Sequence, residues 1–295
     1  MQSSLLTDAI IPLTLALMMV CMGLSLRLTD FSRVFAEPKA AVVGLICQMI
    51  GLPTLGFLVA VFFQLSPEYA AGTMILVFCA GGVVSGLITQ AVGGDVALSV
   101  SMTVISMLIG VVTIPVLVNA SQLYFLDLKA VELDLLSNSI RLLFMTVVPV
   151  GFGMLVRHRF PAGSEKLRPR LTNLSNIALA VIILVILFDN LDTFIAEWNG
   201  LLVTIFALNW AAMALGFTAA KVTRLDRSRS LTLMIEVGFQ NSATGIFIAA
   251  TLLGSFEQAL PSVIYSGAAF INVAIVIALI RLATRRHTPK EEPAQ

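Results

Sequence analysis

Charge is what this sequence lacks most. Only 12% of its 295 residues are Asp, Glu, Lys or Arg, while 58% are hydrophobic. A soluble domain usually carries about 25% charged residues. A soluble core of this size could not hide so much apolar surface, so the surrounding solvent must be lipid. Histidine is nearly absent as well. His158 and His287 stand beside arginines in polar stretches and read as solvated loop residues. No apolar stretch contains a histidine, an HExxH pattern or a pair of aspartates, which removes the usual nucleophile–base and metal-cluster constellations of an enzyme. Cysteine is limited to Cys21, Cys47 and Cys79, all in apolar segments with no CxxC or Cys/His spacing. They read as small packing residues, not as metal or redox groups. The net charge of +1 is no argument for nucleic acid, and no basic patch with interleaved aromatics occurs.

What is present is long apolar runs. A membrane span needs about 20 mostly apolar residues. Nine stretches qualify: 9–26, 40–63, 69–91, 96–119, 137–156, 173–194, 199–220, 231–253 and 261–284. The chain is therefore expected to be an all-α polytopic membrane protein with nine transmembrane helices. Residues 1–8 carry no basic residue and no small-residue cleavage pattern follows, so the first run reads as a retained helix, not a signal peptide. Pro53 is expected to kink the second span. Asp95, after Gly93-Gly94, is placed to cap the fourth. No linker long enough to divide the chain into successive domains is found.

The connections fix an orientation. Arg27, Arg33 and Lys39 flank the first connection. Arg157, Arg159, Lys166, Arg168 and Arg170 lie in the fifth. Lys221, Arg224, Arg227 and Arg229 lie in the seventh, and Arg281, Arg285, Arg286 and Lys290 follow the last span. That places 16 of the 18 basic residues on one side, with only Lys129 and Arg141 on the other. The positive-inside rule makes the rich side cytoplasmic. The expectation is a cell (inner) membrane protein, N-terminus outside and C-terminus cytoplasmic. Arg141 reads as a snorkelling side chain or as a residue drawing in an anionic solute.

Two spans are poorly made for lipid. The third contains "CAGGVVSGLITQ", with Gly81, Gly82 and Gly86 near its middle. The eighth contains "EVGFQNSATG", with Gly238, Gly245 and, within its first seven residues, four polar side chains. They are five spans apart and so cross in opposite directions. Broken helices at matching places in inverted halves are a sequence pointer to a transporter site. The second half has five spans and the first only four, as in an inverted five-helix repeat with the first helix missing. Close packing alone explains the glycines. It does not explain Glu236, the one acid clearly within a span.

A charged side chain at mid-bilayer costs about 2.5–3.5 kcal/mol on insertion scales. No Lys or Arg is embedded deeply enough in another span to offset it, which leaves protonation or a bound cation. Oxygen donors recur at Ser99 and Thr103, four apart and so on one helix face. Ordinary bonding of these hydroxyls to the preceding turn is the alternative reading.

At these residues the sequence strongly resembles the bile acid:sodium symporter family. The matching pieces are "MGLSLRLTDFSRVFAEPKA", "CAGGVVSG…GGDVALSVSMT" and "EVGFQNS", and they extend over nearly the whole chain. The resemblance implies a core domain of the spans at 40–63, 69–91, 96–119, 199–220, 231–253 and 261–284. The spans at 9–26, 137–156 and 173–194 would form a panel domain, and the two broken helices would cross in the core. It implies one sodium site from Ser85, Gly86, Ser99, Thr103 and Glu236. A second would be formed by Gln48, Glu236 and Gln240, with backbone carbonyls near Val237 and Phe239. Asn241 would face the substrate cavity, beside position 83. Three departures stand out. Ala80 replaces a proline common in the family, Ser85-Gly86 replaces Ser/Thr-Asn, and Val83 replaces a threonine often present near the substrate.

The implied function is secondary transport, with Na+ as coupling ion, a small organic anion as partner solute, the lipid bilayer as surroundings and no other cofactor. Proton-coupled or uncoupled transport or export on the same fold is the alternative. The related arsenite exporters use a membrane cysteine, which brings Cys79 into that comparison. A membrane receptor that binds without moving its ligand is the alternative outside transport. The orientation is directly testable: cysteines introduced at Ser3 and Ala294 should be labelled from opposite faces of the membrane, and labelling of both from one face would refute it.

Overall fold

The computed structural model describes residues 5–26, 38–79, 81, 82, 84–127, 135–189 and 191–285. Those residues are almost entirely helical. Helices α1 (Leu6–Gly23), α2 (Pro38–Phe62), α3 (Pro67–Phe78) and α4 (Ser85–Ala91) come first. Helices α5 (Val96–Leu126), α6 (135–159), α7 (Pro161–Asp189) and α8 (Leu191–Val222) follow. The last are α9 (Arg227–Gly238), α10 (Ser242–Leu252) and α11 (Phe256–Arg285). Among the described residues seven stretches, in α1, α2, α5, α6, α7, α8 and α11, are long and apolar enough to cross a membrane. The chain is a multi-pass helical membrane protein. The two stretches expected to be badly made, 69–91 and 231–253, are each interrupted, as α3/α4 and α9/α10.

One boundary differs from the sequence reading. A connection was expected between 194 and 199, but the backbone is already helical from Leu191 onward. Apolarity ends where Asp189, Asp192 and Glu197 begin, yet a helix does not end where its apolar face does. Helices α5, α7 and α8 have 31, 29 and 32 residues. At 1.5 Å per residue, that is well beyond a hydrocarbon layer of about 30 Å.

Proline acts in a patterned way. In α1, α2 and α6 a wide π-helical turn, at Leu6–Ile10, Cys47–Gly51 and Leu143–Val147, ends two residues before Pro12, Pro53 or Pro149. Proline donates no backbone hydrogen bond and clashes with the carbonyl four residues back. A π-turn at that place relieves both problems. Before Pro53, where the sequence predicts a kink, the helix runs on through a π-turn, and Gln48 sits inside it. The Asp95 cap is also present, its side chain accepting from Ala97 N at 3.0 Å and Leu98 N at 3.1 Å. Helix α4 ends at Gly93 in the left-handed region, φ +78°, a conformation that favours glycine.

The helices pack as two sets. Helices α1, α6 and α7 lie chiefly on one another, while α2, α3, α5, α8, α9 and α11 make up the second set, with α8 on α9 and α3 on both α5 and α11. The α1–α6 crossing depends on two glycines. A β-carbon added at Gly153 would stand 2.9 Å from the Gly23 α-carbon, so the two backbones touch. Gly151, two residues earlier and on the opposite face of the same helix, has nothing within 4 Å. Gly153→Val should therefore overpack the crossing at a cost of about 1–3 kcal/mol, lowering the thermal unfolding midpoint of the purified protein. Gly151→Val should leave it in place, and equal effects would contradict the packing described.

Candidate functional site

The two interruptions meet. Helix α3 gives way at Cys79 to extended backbone, ψ 142°. Helix α9 gives way at Phe239, also extended. Gly81 and Gln240 pair as an antiparallel bridge, and Gly82 N–H donates to the Phe239 carbonyl at 2.8 Å. Neither crossing position has room for a side chain unless a neighbour shifts. A β-carbon at Gly81 would come within 2.5 Å of Glu236 Oε1, and one at Gly82 within 2.9 Å of the Phe239 ring.

Glu236 lies in the last turn of α9 and is 1% exposed. Ser99 Oγ donates to its Oε2 at 2.6 Å, and the Thr103 hydroxyl contacts its Oε1. Thr103 Oγ1 is also 3.1 Å from the Ser99 carbonyl and 3.5 Å from Ser85 Oγ. A hydroxyl has one proton, so Thr103 cannot serve both acceptors at full strength. All three hydroxyl residues are buried. Among the described residues no basic side chain forms an ion pair with Glu236. The Asp95 cap sets the start of α5, and Ser99 and Thr103 then follow one turn apart on the face turned to α9. The structure brings Ser85, Ser99, Thr103 and Glu236 together. Gly86 lies inside α4, where an added β-carbon would meet Val100 at 3.6 Å and Val96 at 4.0 Å instead of the carboxylate.

A second polar group forms on the other side of the break. Gln48 Nε2 donates to Gln240 Oε1 at 2.7 Å and to the Cys79 carbonyl at 3.2 Å. Gln240 Nε2 donates to the Val237 carbonyl at 2.8 Å. Gln48, Val237 and Gln240 are thus brought together. The Phe239 carbonyl is engaged by Gly82, and the hydrogen bonds of Glu236 are to the hydroxyl cluster, not to this glutamine pair.

Three residues not singled out from the sequence complete the break. The Gly238 carbonyl accepts from Asn209 Nδ2 at 2.7 Å and from Tyr265 Oη at 2.9 Å, while Asn272 Nδ2 donates to Asn209 Oδ1 at 2.8 Å. All three are fully buried. Isolated asparagines in "FALNWAAM" and "AFINVA" were the available signal: an amide in an apolar run needs a partner inside the protein.

Two cavities flank the crossing. The larger, about 750 Å³, is lined by Gln240, Asn241 and apolar faces of α7, α8 and α11. The smaller, about 350 Å³, is lined by Ser85 and Thr103 among others. Met18, Gly82, Val84 and Asn176 border both. Asn241 borders the larger cavity, and its side chain also caps α10 by accepting from Thr244 N at 3.2 Å. Val83 and Ala80 lie outside the described residues.

Interrupted helices that cross within a bundle, with a buried carboxylate at the crossing, define a class of helical membrane transport protein. The profile of the sodium bile acid symporter family matches residues 12–197. The chain is 31% identical over 251 residues to the chloroplastic probable sodium/metabolite cotransporter BASS2 of Oryza sativa subsp. japonica, covering 85% of this chain and 58% of that protein. It is 30% identical over 244 residues to the ileal sodium/bile acid cotransporter of Homo sapiens, covering 81% and 68%. It is 29% identical over 258 residues to the uncharacterized sodium-dependent transporter YocS of Bacillus subtilis (strain 168), covering 87% and 78%. The chain belongs to the sodium bile acid symporter family.

The Gly238 anchor yields an expectation for stability. Asn209→Ala removes one of the carbonyl's two donors and leaves Asn272 Nδ2 without its acceptor. It should cost about 1–3 kcal/mol, read as a lowered thermal midpoint. Tyr265→Phe, which leaves Asn209 on the carbonyl, should cost less. The reverse order would contradict the arrangement described.

Proposed function

We propose that this protein is a secondary transporter that couples entry of Na+ to movement of a small organic anion by alternating access. The observation that carries the reading is Glu236: a buried carboxylate among three hydroxyls, at the crossing of two broken helices, with no basic partner among the described residues. Carboxylate, hydroxyl and carbonyl oxygens suit a hard cation. Helix α9 also ends there, and a helix C-terminus favours positive charge. A sodium ion at Ser85, Ser99, Thr103 and Glu236 would neutralise the acid, and Gly86 would offer it no side-chain oxygen. A second ion would be held by Gln48, Gln240 and the Val237 carbonyl, with Glu236 and the Phe239 carbonyl brought in by local adjustment of the break. Asn241 and position 83 would face the solute. Names such as sodium/bile acid and sodium/metabolite cotransporter among the relatives support the reading.

In this reading the α1, α6 and α7 set is the panel and the second set is the core. The broken helices count as one span each, giving nine spans with N-terminus outside and C-terminus cytoplasmic in the cell membrane. The spans before and after the middle of the chain would be related as inverted repeats.

The test is sodium-driven uptake into proteoliposomes for a panel of organic anions, under imposed Na+ or H+ gradients. Glu236→Gln should abolish the sodium-dependent component while the protein still elutes as a single folded species, because the neutral isostere removes a buried charge. Undiminished sodium-driven uptake by this variant would refute the assignment. Uptake driven by H+ alone in the unaltered protein would transfer the role of Glu236 to proton carriage.

A further inference from the structure

We propose that Arg168 is the anion-recognising residue of the smaller cavity, holding the acidic group of a carboxylate or sulfonate solute where α7 faces the end of α1. This rests on the transport reading above and adds to it a residue and a place for the solute's charge.

Arg168 stands among five basic residues of one connection, and a topological role alone would send all of them outward to lipid headgroups. Lys166 and Arg170 are exposed, but Arg168 is half-buried and lines the cavity. Among the described residues lining that cavity it is the only charged one, so the cavity favours a negative occupant. Its guanidinium has five N–H donors. Within the described fold it spends one, from Nη1 to Ser25 Oγ at a long 3.4 Å, and it joins no ion pair among the described residues. The planar fork is thus left for a ligand, and carboxylates and sulfonates match it in geometry and charge.

The helix that carries Arg168 extends the argument. Arg168, Thr172 and Asn176 follow at intervals of four, on one face of α7, and all three line the smaller cavity. Asn176 also borders the larger cavity, and the face continues there as Leu179, Ile183 and Leu187. One helix face therefore changes from cationic through polar to apolar along its length. An anion with an acidic head at Arg168 would lay its apolar body along the second half of that face. Ser85 and Thr103 border the same smaller cavity. A cation bound beside them and an anion bound at Arg168 would attract each other across it, a direct electrostatic link between ion and solute.

The experiment reads the cavity's charge preference without needing the solute. In full-length protein with the three native cysteines replaced by alanine, Thr172→Cys places a thiol on the cavity wall. Its reaction rates with an anionic sulfonatoethyl and a cationic trimethylammonium-ethyl methanethiosulfonate are compared after reconstitution. The anionic reagent should be favoured, the ratio should fall about tenfold in Arg168→Gln, and Arg168→Lys should keep most of it. A cationic preference in the starting protein, or a ratio unchanged by Arg168→Gln, overturns the proposal. Uptake of the anion panel is measured on the same preparations. Sodium-driven uptake with an unmoved ratio sinks the Arg168 assignment alone. A ratio that collapses as expected, with no sodium-driven uptake by the starting protein, sinks the transport reading and leaves Arg168 as an anion site.

Discussion

One carboxylate at membrane depth constrains the rest of this molecule. Glu236 cannot be left to lipid, and among the described residues it is not neutralised by a basic side chain, so oxygen donors have to be carried to it. Ser99 and Thr103 arrive on a long, capped helix whose register is fixed by Asp95. Ser85 arrives on α4, and only because α3 and α4 are not continuous. The bare backbone of Gly81 lets the other chain pass within reach of Glu236 Oε1. Each of these features costs helix regularity, and each is placed around the same two oxygen atoms.

Breaking two helices in lipid is expensive in a second way, since every freed backbone group needs a partner. The accounting at this crossing is nearly complete. The Gly238 carbonyl takes two donors, the Phe239 carbonyl takes Gly82 N–H, and the Cys79 carbonyl takes Gln48. The Val237 carbonyl takes the Gln240 side chain, and Ser242 N–H returns to the Gln240 carbonyl. Several of these bonds tie one break to the other. The two interruptions thus form one hydrogen-bonded unit.

Much of this was legible in the sequence because the membrane enforces simple rules. Scarce charge and apolar run length marked the helical stretches, and Gly81-Gly82 and Glu236 marked where regular helix fails. The constellation of Ser85, Ser99, Thr103 and Glu236 was available because its members are polar where polarity is costly and because a family pattern joined them. Asn209, Tyr265 and Asn272 carried the same signal of polarity in apolar runs, but their partner is a backbone carbonyl at Gly238, which has no side-chain signature. The π-turns before Pro12, Pro53 and Pro149 follow from a clash that the sequence states only as a proline. The start of α8 at Leu191 was missed for a different reason: hydropathy reports where apolar side chains stop, and the backbone there continues as helix past them.

The placement of the two cavities bears on how such a unit could work. Among the described residues both are bordered by Met18 and Asn176 from α1 and α7, and by Gly82 and Val84 from the break between α3 and α4. The first pair belongs to one packed set of helices and the second to the other. On the transport reading, passage between the cavities would have these two sets part or slide, with no rupture within either set. The hydroxyl cluster and both breaks would move with the second set in that case, because their hydrogen bonds lie almost wholly inside it. On the transport reading, a cation bound there keeps its ligands while the surface facing α1 and α7 changes. The carboxylate's neutralisation then decides whether that movement is allowed, since an uncompensated Glu236 would have to cross a shifting apolar boundary. Coupling would arise from the cost of moving a bare buried charge, with no mechanical link beyond the crossing itself.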